Sequence, residues 1–243
     1  MAAAASTKRI ILVASGYTDM PQRPEEKEAN KTPDKTGWYL PEMAHPWCTF
    51  TEKGYEMVFV SPKGGLVDCD EGSVKTYAKD PECQRFAKEK LNDKYQLDTV
   101  KITDVKDAVK YDVIVYVGGH GTMWDFPDDK ELNKAGAQLY EAGGIVSAVC
   151  HGPAGILNIE LSNGKKLVDG KTVTGFTNDE EEAVNLTKVM PYSLETELKN
   201  RGAKFTCVKN WGSNVEVSER LVTGQNPASA GDLAKVIVEL LEK

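Results

Sequence analysis

The stretch GGIVSAVCHGPAGIL, Gly143–Leu157, carries an apolar run that stops abruptly at Cys-His-Gly-Pro before small and apolar residues resume. A near-continuous apolar run of this length suits a strand buried on both faces, the form that strands take in a parallel sheet. Gly152-Pro153 then permits a sharp turn and the start of a helix, since the missing N–H of proline costs nothing in a first turn. A strand-to-helix turn presents its side chains at the carboxyl edge of the sheet, where open α/β folds bind ligands. The expected arrangement mimics the nucleophile elbow of hydrolases with sulfur in place of hydroxyl, although Gly-x-Ser-x-Gly itself is absent. Cys150 is then the nucleophile. The positive end of the helix expected after it should favour the thiolate.

Three further runs have the same character: Lys8–Ser15 (KRIILVAS), Tyr55–Pro62 (YEMVFVSP) and Tyr111–Gly119 (YDVIVYVGG). Lys171–Thr177 (KTVTGFT) and Lys204–Asn210 (KFTCVKN) are additional candidates, and Arg220–Asn226 (RLVTGQN) is expected to end the sheet. Between them lie helical patterns. Phe126–Gly144 places Leu132, Ala135, Leu139 and Ala142 on one face, with an acidic first turn and a glycine stop. Ser193–Gly202 again stops at glycine, and Asn226–Lys243 opens with Asn-Pro. Strand–helix alternation of this kind predicts βαβ units in an open, mostly parallel α/β sheet with helices on both faces. The expected organisation is a single α/β domain over residues 1–243. Two regions depart from the alternation. Tyr17–Lys35 is polar and proline-punctuated, which reads as a long surface loop. Gly64–Val105 is charged and mixed, with a helix near Pro81–Lys94, and reads as a small cap-like insertion on the core, approximately residues 64–105.

Composition narrows the function classes. The chain has 243 residues, 40% hydrophobic and 28% charged, as an ordinary globular protein does. A net charge of −7 and the lack of a basic stripe argue against nucleic acid as a partner. The apolar piece Ile10–Ala14 is too short for a secretory signal, and no stretch approaches the roughly 18 apolar residues of a membrane helix. Five scattered cysteines, with no Cys-x-x-Cys pair, favour reduced thiols and a cytoplasmic location over disulfides or a zinc site.

A cysteine nucleophile needs a base, and His151 adjoins it. The base in turn needs a partner on its second ring nitrogen. Gly175–Val184 (GFTNDEEEAV) offers Asp179, Glu180, Glu181 and Glu182, all of which also suit the first turn of a helix. Residue chemistry alone leaves that choice open. His120 sits in GGHGTMWD, a glycine-rich turn after an apolar strand, whose backbone N–H groups suit an oxyanion hole. His45 reads as a packed helix residue. Cys48, Cys69, Cys83 and Cys207 read as buried structural thiols, and no spacing supports a metal site.

Taken together, AVCHGPA (Ala148–Ala154), GGHGTMWDFP (Gly118–Pro127), GFTNDEE (Gly175–Glu181), LPEMAHPWCTF (Leu40–Phe50) and LVTGQNPASA (Leu221–Ala230) resemble the PfpI-type superfamily, which is class I glutamine amidotransferase-like. Within it they are most similar to the heat-shock glyoxalase III branch. The resemblance implies a flavodoxin-like fold, a homodimer and a Cys-His-Glu triad on Cys150, His151 and Glu181. It places a supporting carboxyl, Glu42, near the thiol, where burial would keep it protonated. It also places oxyanion donors at the Gly119 and His151 N–H groups and His120 in the pocket. The implied activity is conversion of methylglyoxal, a small 2-oxoaldehyde, to D-lactate, without glutathione, cofactor or metal. A chaperone for unfolded proteins and a cysteine hydrolase or deglycase are the alternatives. A narrow pocket walled by Trp38, Trp47 or Trp124 would favour small aldehydes over peptides. The extra polar length before Trp38 is the one departure from the branch.

Overall fold

A computed structural model describes residues 7–22 and 35–243. In chain order its strands are β1 (Arg9–Val13), β2 (Glu56–Val60), β3 (Gly65–Asp68), β4 (Gln96–Thr99), β5 (Val113–Tyr116), β6 (Ile145–Val149), β7 (Thr172–Val173), β8 (Lys204–Phe205), β9 (Val215–Ser218) and β10 (Leu221–Gly224). The main sheet has the order β2-β1-β5-β6-β10-β9. All its pairings are parallel except β9 with β10. Every residue of β5, β6 and β10 is buried, which is why their sequences are nearly free of charge.

The helices among the described residues are α1 (Leu40–Glu52), α2 (Glu71–Thr76), α3 (Pro81–Lys90), α4 (Thr122–Asp125), α5 (Lys130–Glu141), α6 (Asn178–Ala183), α7 (Leu194–Asn200) and α8 (Ala230–Leu241). Tyr116 sends its hydroxyl to the Leu132 carbonyl of α5, while Leu233 of α8 packs beside Gly224 and Val149. Tyr116 aligns with Ala148, and Val149 is the next residue along, so α5 and α8 lie on opposite faces. Helix α1 packs against α8, and its first turn reaches the carboxyl edge of the sheet, where the Tyr39 N–H donates to the Gly118 carbonyl.

Strands β3 and β4 pair with each other as an antiparallel ribbon, with α2 and α3 between them. A bridge from Val60 to Val100 joins this ribbon to the sheet edge. Its main anchor is Phe86 of α3, completely buried, with its ring meeting Trp38, Trp47 and Phe59 edge-on at 6.1, 5.3 and 6.0 Å. Trp38 and Trp47 are therefore core residues and not pocket walls, and Trp124 stacks on Tyr17 instead.

Several boundaries differ from the sequence reading. RLVTGQN does not end the sheet: β10 lies inside it, and the antiparallel strand β9 forms the edge. Its sequence, VEVS, is short and half polar, as an edge strand tolerates, so no apolar run marked it. KTVTGFT and KFTCVKN contribute only β7 and β8, which pair with each other apart from the main sheet. The helix expected from Phe126 begins at Lys130, because Asp129 caps it by accepting from the Glu131 and Leu132 N–H groups. Ala142 is consequently exposed at its end. Of the Tyr17–Lys35 loop, Asp19 and Lys35 form an antiparallel bridge, and residues 23–34 lie outside the described residues. No described helix is long and apolar enough to cross a membrane.

Phe86→Ala should empty the joint between ribbon and sheet. We expect a loss of about 3–5 kcal/mol in stability by urea unfolding, the cost of deleting a buried aromatic ring. A loss below about 1 kcal/mol would show that Phe86 is not the anchor.

Candidate active site

Cys150 immediately follows β6 and has a left-handed backbone, φ +60°. A non-glycine residue there stores about 1–3 kcal/mol of strain and needs its surroundings to hold it. Two backbone hydrogen bonds do so: the Cys150 N–H donates to the Gly224 carbonyl at 2.9 Å, and its carbonyl accepts from the Phe176 N–H at 2.8 Å. The elbow is therefore real, but it does not lead into the expected α-helix. Gly152–Ile156 form a short 3₁₀ turn, which lacks the aligned dipole of a long helix.

The thiol faces its sequence neighbour. Cys150 Sγ lies 3.4 Å from His151 Nδ1, and His151 Nε2 lies 2.7 Å from Glu181 Oε2. The other Glu181 oxygen is 2.9 Å from His120 Nε2, so one carboxylate holds two imidazoles whose ring centres are 4.1 Å apart. Burial opposes ionisation of Glu181, but the two rings overcome it and hold the carboxyl far below the usual carboxylate range. An ionised carboxylate only accepts, so both Nε2 atoms carry hydrogen. Burial, and then the neighbouring His120, depress the His151 pKa. A neutral His151 with its hydrogen on Nε2 leaves Nδ1 free to accept the thiol proton. The resemblance places His120 in the pocket, and in the structure it is also a second donor to Glu181. No spacing signalled this, since the two residues are 61 positions apart.

Four acids competed for the orienting role. Asp179 and Glu182 are exposed at the start of α6, whereas Glu180 and Glu181 are buried, and only Glu181 reaches the histidines. Thr177 and Glu180 form a capping box that fixes the helix start and thus the direction of Glu181.

Glu42, on α1, approaches the sulfur from the other side. It is completely buried, and neither carboxyl oxygen has a well-aligned hydrogen-bond partner, though the Cys150 thiol and Gly118 N–H face it. Burial pushes its pKa up to about 8. Burial, with Glu42 next in importance, pushes the Cys150 thiol well above its ordinary value, while the His151 N–H acts weakly the other way. The thiolate expected from a helix dipole is thus replaced by a neutral thiol beside a protonated acid. Gly118 makes the contact possible: a Cβ there would lie 2.4 Å from Glu42 Oε2 and 2.9 Å from Cys150 Cβ. Gly119 has φ +106°, and a Cβ on it would strike the Gly37 carbonyl at 2.3 Å. Thr122 Oγ1 ties this turn to the elbow, lying 2.9 Å from the Gly119 carbonyl and 3.0 Å from that of His151.

The remaining candidates lie elsewhere. His45 bonds Asp80 through Nε2 at 3.2 Å, docking α1 on the ribbon. His45, Asp80 and Cys83 bring three donor atoms within 4.8 Å, as do His120, His151 and Glu181. In each group a carboxylate already takes an imidazole N–H. Cys48, Cys69 and Cys83 are buried with raised pKa values, but Cys207 is exposed, contrary to expectation.

The chain as a whole is similar to known proteins. The sequence profile of the DJ-1/PfpI family matches residues 37–240. Glyoxalase 3 of Candida albicans is 32% identical over 214 residues, covering 86% of this chain and 91% of its own. The glutathione-independent glyoxalase of Saccharomyces cerevisiae is 30% identical over 241 residues, 97% of this chain and 98% of that one. The crystal structure of glyoxalase III from Candida albicans has a TM-score of 0.83 at 29% identity, covering 96% of each chain. The fold is the mostly parallel α/β architecture of this family.

Protonation of Glu42 links folding to pH. The folded chain keeps that proton up to about pH 8, whereas the ordinary value is 4.5. Its stabilising contribution is full below the lower value and is lost as pH rises through the upper one. Urea midpoints should therefore fall between about pH 5 and pH 8.5 in the wild type and fall less in Glu42→Gln. Parallel curves would show that Glu42 ionises normally in the fold.

Proposed function

The chain belongs to the DJ-1/PfpI family, and we propose that it is a glutathione-independent glyoxalase that converts methylglyoxal to D-lactate through Cys150, His151 and Glu181. The observation that carries this reading is the unbroken line from Cys150 Sγ through His151 to Glu181, at 3.4 and 2.7 Å. The names of the relatives, glyoxalases across nearly their whole length, supply the substrate class.

The chemistry follows from the resting protonation states. As the sulfur attacks the aldehyde carbon, its proton passes to His151 Nδ1, so a thiolate need not exist beforehand. Glu181 stabilises the imidazolium that forms. The hemithioacetal oxygen is met by the His151 and Gly119 N–H groups. The imidazolium returns its proton to that oxygen. Neutral His151 then carries the proton of the former aldehyde carbon to the neighbouring carbonyl carbon through an enediol, while the hydroxyl proton passes to the carbonyl oxygen. One carbon is oxidised and the other reduced, so no external redox partner enters the balance. Water cleaves the resulting thioester, releasing the hydroxy acid and restoring the thiol. Glu42, protonated, donates to the sulfur while it carries charge.

Purified protein incubated with methylglyoxal alone should form D-lactate, and Cys150→Ala should reduce the rate on the order of 10³-fold or more with the fold intact. Activity should persist below pH 6.5, because the depressed His151 pKa keeps the base neutral there, and should decline above about pH 8 as Glu42 ionises. No lactate from the wild type, or full activity in Cys150→Ala, would sink the proposal.

A further inference from the structure

Glu180 stands next to Glu181 in the chain but turns the other way. It is completely buried, and all of its hydrogen-bond donors are neutral groups. Oε2 accepts from the Thr177 N–H and hydroxyl, both at 3.1 Å. Oε1 accepts from the Trp211 N–H at 2.9 Å, the Gln225 amide at 3.2 Å and the Asn226 amide at 2.8 Å. Both Thr177 donors are local to the helix start, and a capping box needs only the N–H of the two, the Glu180 N–H donating back to Thr177 Oγ1. The other three come from the turn that holds Trp211 and from the end of β10, so this one carboxyl gathers three separate segments. Burying such a group costs several kcal/mol unless every lone pair is met, and here five donors meet them.

What the grip secures is visible at Trp211. That residue has a left-handed backbone, φ +65°, and a side chain half exposed to solvent, a combination that neither local propensity nor burial explains. Its ring lies 5.8 Å from Phe176, whose ring lies 4.3 Å from that of His151 and 6.0 Å from that of His120. Phe176 is also the residue whose N–H pins the strained Cys150 carbonyl. Trp211 thus backs the ring that backs the base.

We infer that Glu180 is a positioning residue: by holding the Trp211 N–H it seats the Trp211–Phe176 pair against the His151 imidazole and so fixes the alignment of base with thiol. This rests on reading Cys150 and His151 as nucleophile and base. Glutamine cannot substitute, because its NH₂ would face donors whichever way it turned. Glu180 touches no reacting atom, and its effect should appear in the chemical step and not in substrate binding.

The test uses the full chain as wild type, Glu180→Gln, Trp211→Ala and the double variant. Two quantities are read: kcat and KM with methylglyoxal, and the rate at which iodoacetamide alkylates Cys150, followed by mass spectrometry of its peptide. The second reads the thiol–imidazole pair without reference to any substrate. Each single variant should lose about 10- to 100-fold in kcat and in alkylation rate, with KM changed by less than about twofold. The double variant should be no worse than the poorer single one, because both changes break the same link. Multiplying losses would make Glu180 a support of the fold only and overturn the inference. So would wild-type kcat and alkylation in Trp211→Ala, a half-exposed position whose loss the fold tolerates even if Glu180→Gln does not fold. Absent methylglyoxal turnover in the wild type would remove the glyoxalase reading alone, and alkylation would still decide the inference.

Discussion

The structure turns on a single strained residue. Cys150 is held at φ +60° between the Gly224 carbonyl and the Phe176 N–H, and nearly every close contact of the site follows from that geometry. The left-handed turn brings a thiol and its neighbouring imidazole to the same crevice, which an extended pair could not do because adjacent side chains in a strand point apart. It also brings the backbone of the elbow against the turn after β5, where only glycine fits at position 118. The hydrogen bonds that hold the strain come from β10 and from the segment before α6, so the sheet and the acid-bearing helix are built around one dihedral angle.

Three buried glutamates around this point behave differently because their neighbours differ. Glu42 has no cation and no well-aligned donor, so burial keeps it protonated beside the sulfur. Glu181 takes two imidazoles and stays ionised. Glu180 collects five neutral donors and joins three segments. Paired carboxyls whose environments push them apart are a means of dividing acid and base work within one site. In the proposed reaction the division matters because burial holds the thiol pKa high: proton movement to His151 would belong to the attack itself, and Glu42 could offer hydrogen to sulfur only while it keeps its own.

The ribbon of β3 and β4 extends this logic to the edge of the sheet. Phe86 plugs it against Trp38 and Trp47, and Trp38 lies within the segment, Gly37 to Tyr39, whose backbone meets Gly118 and Gly119. Packing beneath the ribbon therefore supports the approach of Glu42 to the thiol. His45, one turn along α1 from Glu42, adds a polar fastening through Asp80.

The amino-acid sequence alone determined the buried strands, the alternating order and the elbow at Cys150-His151-Gly152-Pro153, because these depend on local apolar runs and on the backbone preferences of glycine and proline. Among the four acids of GFTNDEEEAV it could not choose by chemistry, and Glu181 came from family resemblance. Tertiary structure supplied the physical reason: Glu180 and Glu181 both turn inward, yet only one meets the imidazoles. It also decided what no local pattern encodes, namely the second imidazole on Glu181, the short edge strand β9, and the protonation of the thiol. A helix dipole suggested a thiolate; burial beside Glu42 reversed that. Charge states in a core are set by which groups arrive from distant parts of the chain, and only folding brings them together.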